Sequence, residues 1–320
     1  MPTRSFIALL LIASVGACAA HHKHAKHEHA VPLDEAGAKA PLAELWENPT
    51  DAGQRDLFGG VGGTRLTPDP RAAYELVSRD TKGSSRGYDV RDPSGLVWSV
   101  KLGVEAQPEV VVSRLLWAAG YHQPPTYYVR QWELTDDGTR TTQPPGRFRP
   151  ELPGYRKIGR WAWKENPFVA TQPYRGLLVL NMLVNNWDLK TSQNVVYQLD
   201  RTREGAERWY VIRDIGASLG KTPGRILDGT PNDLAGFERQ GFVTGVHGTR
   251  VDFDYRRPHN ELFAQITPAD VRWACELLGR LSPRQLSDAF RAGGYRPDET
   301  ARYVAKLQAK IAQGRTLEGS

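Results

Sequence analysis

The run Asn186-Trp187-Asp188-Leu189-Lys190-Thr191-Ser192-Gln193-Asn194 is followed, after a polar turn, by Tyr210-Val211-Ile212-Arg213-Asp214-Ile215-Gly216. Its residue types suit phosphoryl transfer. That reaction needs one carboxylate to orient the attacking hydroxyl, and an amide and a second carboxylate to hold Mg²⁺ against the phosphates. Asp188, Asn194 and Asp214 are the candidates for those three roles.

Asp188-Leu189-Lys190 resembles the Asp-Leu-Lys of a protein-kinase catalytic loop, and Asp214-Ile215-Gly216 resembles the Asp-Phe-Gly metal motif. On these residues the chain is similar to the protein-kinase-like superfamily, in particular its HipA-like and spore-coat or secretory-pathway branches. The resemblance implies an α+β, two-lobed fold, with a small antiparallel-sheet N-lobe and a mainly helical C-lobe. It also implies Mg²⁺ and ATP or another nucleotide as cofactors, an acceptor bearing a hydroxyl, and catalytic roles for Asp188 and Lys190. Two departures are visible. Gln193 stands five positions after Asp188, where the metal-binding Asn belongs, so either the loop bulges to bring in Asn194 or Gln193 substitutes. No His-Arg pair precedes Asp188 and no Ala-Pro-Glu follows Asp214, which argues against an ordinary Ser/Thr kinase.

An Asp-x-Gly triplet alone also describes surface turns, so the flanking elements matter. Leu177, Leu180, Leu183, Val184 and Trp187 recur at helical spacing, predicting a buried helix over Tyr174 to Asn186 that delivers Asp188 at its end. Asn194 to Leu199 and Trp209 to Arg213 read as two strands of a hairpin around a polar turn.

Upstream, Ala73 to Asp80 and Tyr88 to Asp92 read as strands joined by Thr81-Lys82-Gly83-Ser84-Ser85-Arg86-Gly87, a loop whose glycines, Gly83 and Gly87, let backbone amides approach phosphate. Leu96 to Leu102 reads as a strand with Val97, Ser99 and Lys101 on one face, which makes Lys101 the candidate cation for the nucleotide. Pro108 opens a helix that ends at Gly120. Glu109 in its first turn matches the Glu-to-Gly distance of HipA-like kinases and is the implied partner of Lys101, with Glu105 competing. A second glycine cluster, Phe58 to Gly63, reads as a lead-in. Thr126 to Trp132 reads as an edge strand leading to the hinge. The proline-rich stretch after it, with Arg147, Arg149, Arg156, Lys157, Arg160 and Lys164, reads as an insertion with a solvated basic face. Capped helices over the last fifty or so residues form the base of the C-lobe.

The expected division is 1–20 signal peptide, 21–50 His-rich tether, 51–132 N-lobe, 133–173 inter-lobe insertion, 174–314 C-lobe and 315–320 tail. A chain of 320 residues, 40% hydrophobic, suffices for one such domain. A formal charge of +6, without aromatic-basic interleaving, does not favour nucleic acid. Arg4 and the apolar run Phe6 to Val15 are too short for a membrane span and read as a secretory signal. Val15-Gly16-Ala17-Cys18 resembles a bacterial lipobox, which implies a lipid anchor on Cys18 and a periplasmic or outer-face location; cleavage near Ala19 or Ala20 is the alternative. His21 to His29 holds five of the eight histidines and reads as a solvated tether. Cys275 reads as inert core. The function expected is an extracytoplasmic kinase-like phosphotransferase; the alternative is a membrane-anchored, non-catalytic kinase-like binding module.

Overall fold

The structure, a computed structural model, describes residues 40–80, 86–224, 229–255 and 259–318. Cys18, the histidine tract and Gly83 lie outside them.

The strands β1 (Ala73–Asp80), β2 (Gly87–Arg91) and β3 (Val97–Leu102) form an antiparallel meander, and helix α1 (Ala106–Ala118) follows. Period-two alternation divides β3. Trp98, Val100 and Leu102 enter a core with Tyr74, Val90, Trp132 and Phe148, while Ser99 and Lys101 take the other face. Four more strands complete this sheet: β4 (Tyr127–Val129), β5 (Trp132–Asp136), β6 (Thr139–Gln143) and β7 (Gly146–Pro150), in the order β4-β7-β3-β2-β1-β5-β6. Every pair is antiparallel except β1 with β5.

Here the proline-rich stretch departs from its reading as an insertion. β7 is buried along its whole length and lies between β4 and β3, so the sheet of the N-lobe continues to Pro150. Arg147 and Arg149, read as a solvated face, are buried. Because Ser99 pairs with Arg149 and Lys101 with Arg147, the two arginines share the face of the lysine and leave Phe148 to the core. β4 is an edge strand as expected, but it does not lead to the other lobe; the chain crosses after β7.

Beyond the crossing, β8 (Tyr155–Gly159) pairs with β9 (Asn194–Arg203), which pairs with β10 (Ala206–Ile212). The β9–β10 hairpin is longer than its apolar residues suggest, closing on Glu204-Gly205, both at positive φ. Helix α2 (Gln172–Leu183), capped by Thr171, runs through the larger core and stops before Asn185, itself at positive φ. A turn therefore separates the helix from Asp188. Helix α3 (Leu234–Arg239) and the hairpin β11 (Val243–His247) and β12 (Arg250–Phe253) follow. Then come α4 (Pro268–Gly279), α5 (Pro283–Ala292) and α6 (Pro297–Arg315). Thr267 and Ser282 make capping boxes at α4 and α5. Cys275 is fully buried in α4, and burial pushes its thiol up to about 12, which keeps it unreactive. Val111, Val112, Leu115 and Leu116 of α1 join this same core, so the helix carrying Glu109 is fixed by the helical lobe as well as the sheet. The element order agrees with the two-lobed α+β architecture that the motifs imply.

Candidate active site

Strand β3 sends Lys101 across the cleft, where its ammonium donates to Asp214 Oδ1 at 2.5 Å. Glu105 Oε2 lies 2.6 Å from the same nitrogen and Glu109 Oε2 3.9 Å from it. The two glutamates are four apart at the start of α1 and so stand on one side of the helix. Both candidate partners therefore meet the lysine, and Glu105 is the nearer. Burial alone would depress the Lys101 pKa; Glu109, Asp214 and Glu105 together outweigh it and hold the pKa above the ordinary lysine value.

Glu109 has a second set of partners that the sequence reading assigned to solvent. Its Oε1 lies 2.9 Å from Arg147 Nε and accepts a hydrogen bond from Arg149 Nη2. Arg149 Nη2 also donates to the carbonyl oxygen of Arg213 at 2.9 Å, immediately before Asp214. Burial would raise the Glu109 carboxyl, but Arg147, Arg149, Lys101 and Arg213 outweigh it and hold it below the usual carboxylate range. Burial, with Arg147 and Arg213 alongside, pushes Arg149 down to about 9, which leaves it cationic at neutral pH. Asp-Ile-Gly closes against α1 because Gly216 has no side chain: a Cβ there would come within 2.6 Å of Glu105 Cβ and 2.7 Å of its carbonyl oxygen.

The loop after α2 is pinned by amides. Asn186 Nδ2 donates to Asn181 Oδ1 at 2.7 Å, and the Asp188 amide donates to Asn186 Oδ1 at 3.3 Å. Gln193 Nε2 then donates to Asp188 Oδ2 at 2.7 Å, and Lys190 Nζ lies 2.9 Å from Oδ1. The hydrogen bond and charge of Asp188 raise the Lys190 pKa, and Asp214 and Glu105 add to the effect, so Lys190 belongs to the same electrostatic group. Lys310, which sequence reasoning missed, reaches under this loop from α6 and donates to Asn185 Oδ1 at 2.7 Å and to the Leu183 carbonyl at 3.2 Å. A lysine in an amphipathic helix carries no signal that it will be buried, as this one is.

Of the other candidate residues, Gly87 begins β2 opposite Lys101. The glycine cluster 58–63 packs on α1, where a Cβ on Gly60 would strike the guanidinium of Arg114, and its Val61 lines the inter-lobe pocket with Ser99 and Arg213. Asn194 is turned away. It is fully buried in β9, opposite Ile212, and its Nδ2 donates to the Trp161 carbonyl at 2.9 Å. Gln193 ends a 3-10 turn (Thr191–Gln193) just before β9, and its side-chain bond to Asp188 puts it on the cleft side. The backbone agrees, because the Arg213 amide donates to the Gln193 carbonyl at 2.9 Å and brings Gln193 beside Asp214.

The oxygens available suit Mg²⁺, a hard cation that takes one or two protein ligands and completes its shell with water and phosphate. Asp214 is partly exposed and gives only one oxygen to Lys101, while Gln193 uses its nitrogen on Asp188 and retains its amide oxygen. Asn194 Oδ1 has no hydrogen-bond partner, but it lies with Trp161 behind the hairpin.

No known family model matches the chain, and no curated protein matches it in sequence. Among solved structures, it is similar to the Helicobacter pylori proinflammatory kinase CtkA at 10% identity and a TM-score of 0.45, over 76% of this chain and 97% of that one.

Proposed function

We propose that this protein is a phosphotransferase that moves a phosphoryl group from a magnesium-bound nucleotide to a hydroxyl acceptor. The observation that carries the reading is the contact of Lys101 with Asp214, 113 residues apart, beside the Asp188, Lys190 and Gln193 group. In the reaction the acceptor oxygen bonds to the terminal phosphorus, the bridging P–O bond breaks, and the hydroxyl proton passes to Asp188. Gln193 and Lys190 each occupy one oxygen of that carboxylate, which fixes its plane. Lys101 and Lys190 hold negative oxygens of the moving group. Asp214 and Gln193 are the residues that would hold magnesium, which when bound neutralises charge on the phosphates.

Mg·ATP is expected to raise the melting temperature by several degrees, since a ligand at about 100 times its Kd contributes about 2.7 kcal/mol. Asp214→Asn should abolish that shift and Gln193→Ala should weaken it. Asn194→Ala should lower the starting melting temperature yet leave the shift. A wild-type protein that shifts with no nucleotide and metal pair would overturn the donor.

The second reading is a non-catalytic binding module of the same architecture. It is favoured by the loss of the metal-binding Asn: Gln193 stands at its position in the motif, and the neighbouring Asn194 is buried behind the hairpin. An assay of transfer separates the two.

We further propose that the domain works outside the cytoplasm on a lipid anchor at Cys18. The basis is the apolar run ending in Val15-Gly16-Ala17-Cys18. Cys18→Ser should release the protein from the membrane pellet. Full-length wild type recovered soluble in the cytoplasm would refute the location.

A further inference from the structure

Helix α6 turns two polar side chains into the helical lobe, Tyr303 and Lys310, both buried and two turns apart on one face. Tyr303 Oη donates to the Leu219 carbonyl at 3.0 Å. Lys310 Nζ donates to the Leu183 carbonyl and to Asn185 Oδ1, and lies 4.4 Å from the centroid of the Phe237 ring. Leu183 ends α2, so its carbonyl has no partner within the helix, and a cation there also suits the negative end of the helix dipole. Burial first, and Lys306 with it, pull the Lys310 pKa well below the ordinary lysine value, against the field of Asp254. A methionine would fill the same space without that penalty. What the lysine adds is its hydrogen bonds.

Those bonds act on Asn185. Its backbone is at a φ of 58°, and both ends of its buried amide are engaged: Oδ1 accepts from Lys310, and Nδ2 donates to the Gly220 carbonyl at 2.7 Å. The adjoining backbone repeats the link, with the Leu219 amide donating to the Val184 carbonyl at 2.8 Å. Asn185 opens the loop that carries Asp188, and Gly220 belongs to the segment that follows Asp214. One amide thus ties the two together. An ammonium only donates, so Lys310 holds the oxygen end of the amide and leaves the NH₂ end for Gly220. Asp214 itself is held from the sheet side, by Lys101 and by the fit of Gly216 against Glu105. The clamp therefore governs where Asp188 stands relative to Asp214, and not whether Asp214 is in place.

We infer that Lys310 is a positioning residue: through Asn185 it fixes the loop that carries Asp188 against the segment that follows Asp214. Its effect on transfer rests on the phosphotransferase reading, whereas the clamp itself does not. A displacement of about 1 Å can cost about 10²-fold in rate, so losing the clamp slows transfer and spares nucleotide binding.

The test compares wild type with Lys310→Met and with Asn185→Gly, in which glycine takes the positive φ without strain. Each should slow single-turnover transfer about ten- to a hundredfold and leave the Mg·ATP affinity within about twofold. The double variant should be no slower than the worse single one, because both changes break the same connection. In hydrogen exchange, the Asn186 and Leu219 amides, which donate to the Asn181 and Val184 carbonyls, should both exchange about tenfold faster in Lys310→Met, while amides of α4 keep their protection. This readout needs no transfer, so an inactive wild type would count against the phosphotransferase alone and leave the clamp to be decided by exchange. Unchanged exchange at the two amides, a loss of protection throughout the helical lobe, or rate effects that multiply in the double variant would each overturn the role of Lys310. If Lys310→Met does not fold, Asn185→Gly decides: wild-type transfer and Leu219 exchange overturn the proposal, and slowed transfer with faster exchange and retained affinity upholds it.

Discussion

Asp188→Asn is expected to slow phosphate transfer by about 10²–10⁴-fold while leaving the melting shift with Mg·ATP intact. The substitution keeps the shape of the side chain and removes its capacity to take a proton. It also leaves one oxygen for the Gln193 amide, which at present donates to Oδ2. The nucleotide loses little, because Lys101, Asp214 and Gln193 remain in place. An interaction needed mainly as the hydroxyl attacks lowers the rate without weakening ground-state binding. Lys190→Met should be milder, since that side chain is largely exposed and makes its contact with Asp188 from the solvent side. Single-turnover transfer to an accepting substrate, or autophosphorylation, gives the rate; calorimetry gives the nucleotide affinity. Equal loss of both would make Asp188 a metal or structural group. Transfer undiminished by the change would remove it from the chemistry, and no transfer by wild type despite nucleotide binding would favour the binding module.

Much of this site is legible in the sequence because its parts obey local rules. Alternation along Val97 to Leu102 separates Lys101 from Trp98 and Val100, and the structure keeps that division. The helix before Asp188 and the hairpin before Asp214 follow from apolar spacing, although the helix stops earlier and the hairpin extends further than the apolar residues do. Alternation does not decide the open choice of amide, because Asn194, Val195 and Val196 are all buried. The bond from Gln193 Nε2 to Asp188 Oδ2 is what places that amide at the cleft.

Arg147 and Arg149 were illegible for a different reason. Charge and flanking prolines mark a segment as exposed unless a partner elsewhere compensates its burial, and here the partner is Glu109, some forty residues upstream and on another element. A single sequence does not reveal such a pairing. Lys310 is the same case with neutral partners, a carbonyl and an amide oxygen below the loop that carries Asp188.

The second large effect expected is on stability. Glu109→Gln should destabilise the fold by about 3–5 kcal/mol, the loss found when one member of a buried ion pair is removed and its partner stays charged. Glu109 is wholly buried and carries the only carboxylate contacts of Arg147 and Arg149 among the described residues, whereas Lys101 has Glu105 and Asp214 as well. The variant therefore strands two guanidinium groups rather than the lysine. Arg149→Met in the Glu109→Gln background should recover part of the loss, because it removes one of the stranded charges. Lys101→Met alone should cost less than Glu109→Gln. The pH dependence follows in sign: the Glu109 pKa is lower in the folded state, so its contribution is complete above the ordinary glutamate range and disappears as pH falls through the folded pKa. Acidification should thus cost the wild type more stability than it costs Glu109→Gln, each measured from its own stability at neutral pH. Chemical denaturation of wild type and the three site variants, Glu109→Gln, Lys101→Met and the double variant, supplies the free energies. A cost below about 1 kcal/mol for Glu109→Gln would mean that water already compensates the arginines. A Lys101→Met variant as unstable as Glu109→Gln would instead make the lysine, and not the arginine pair, the partner on which Glu109 depends.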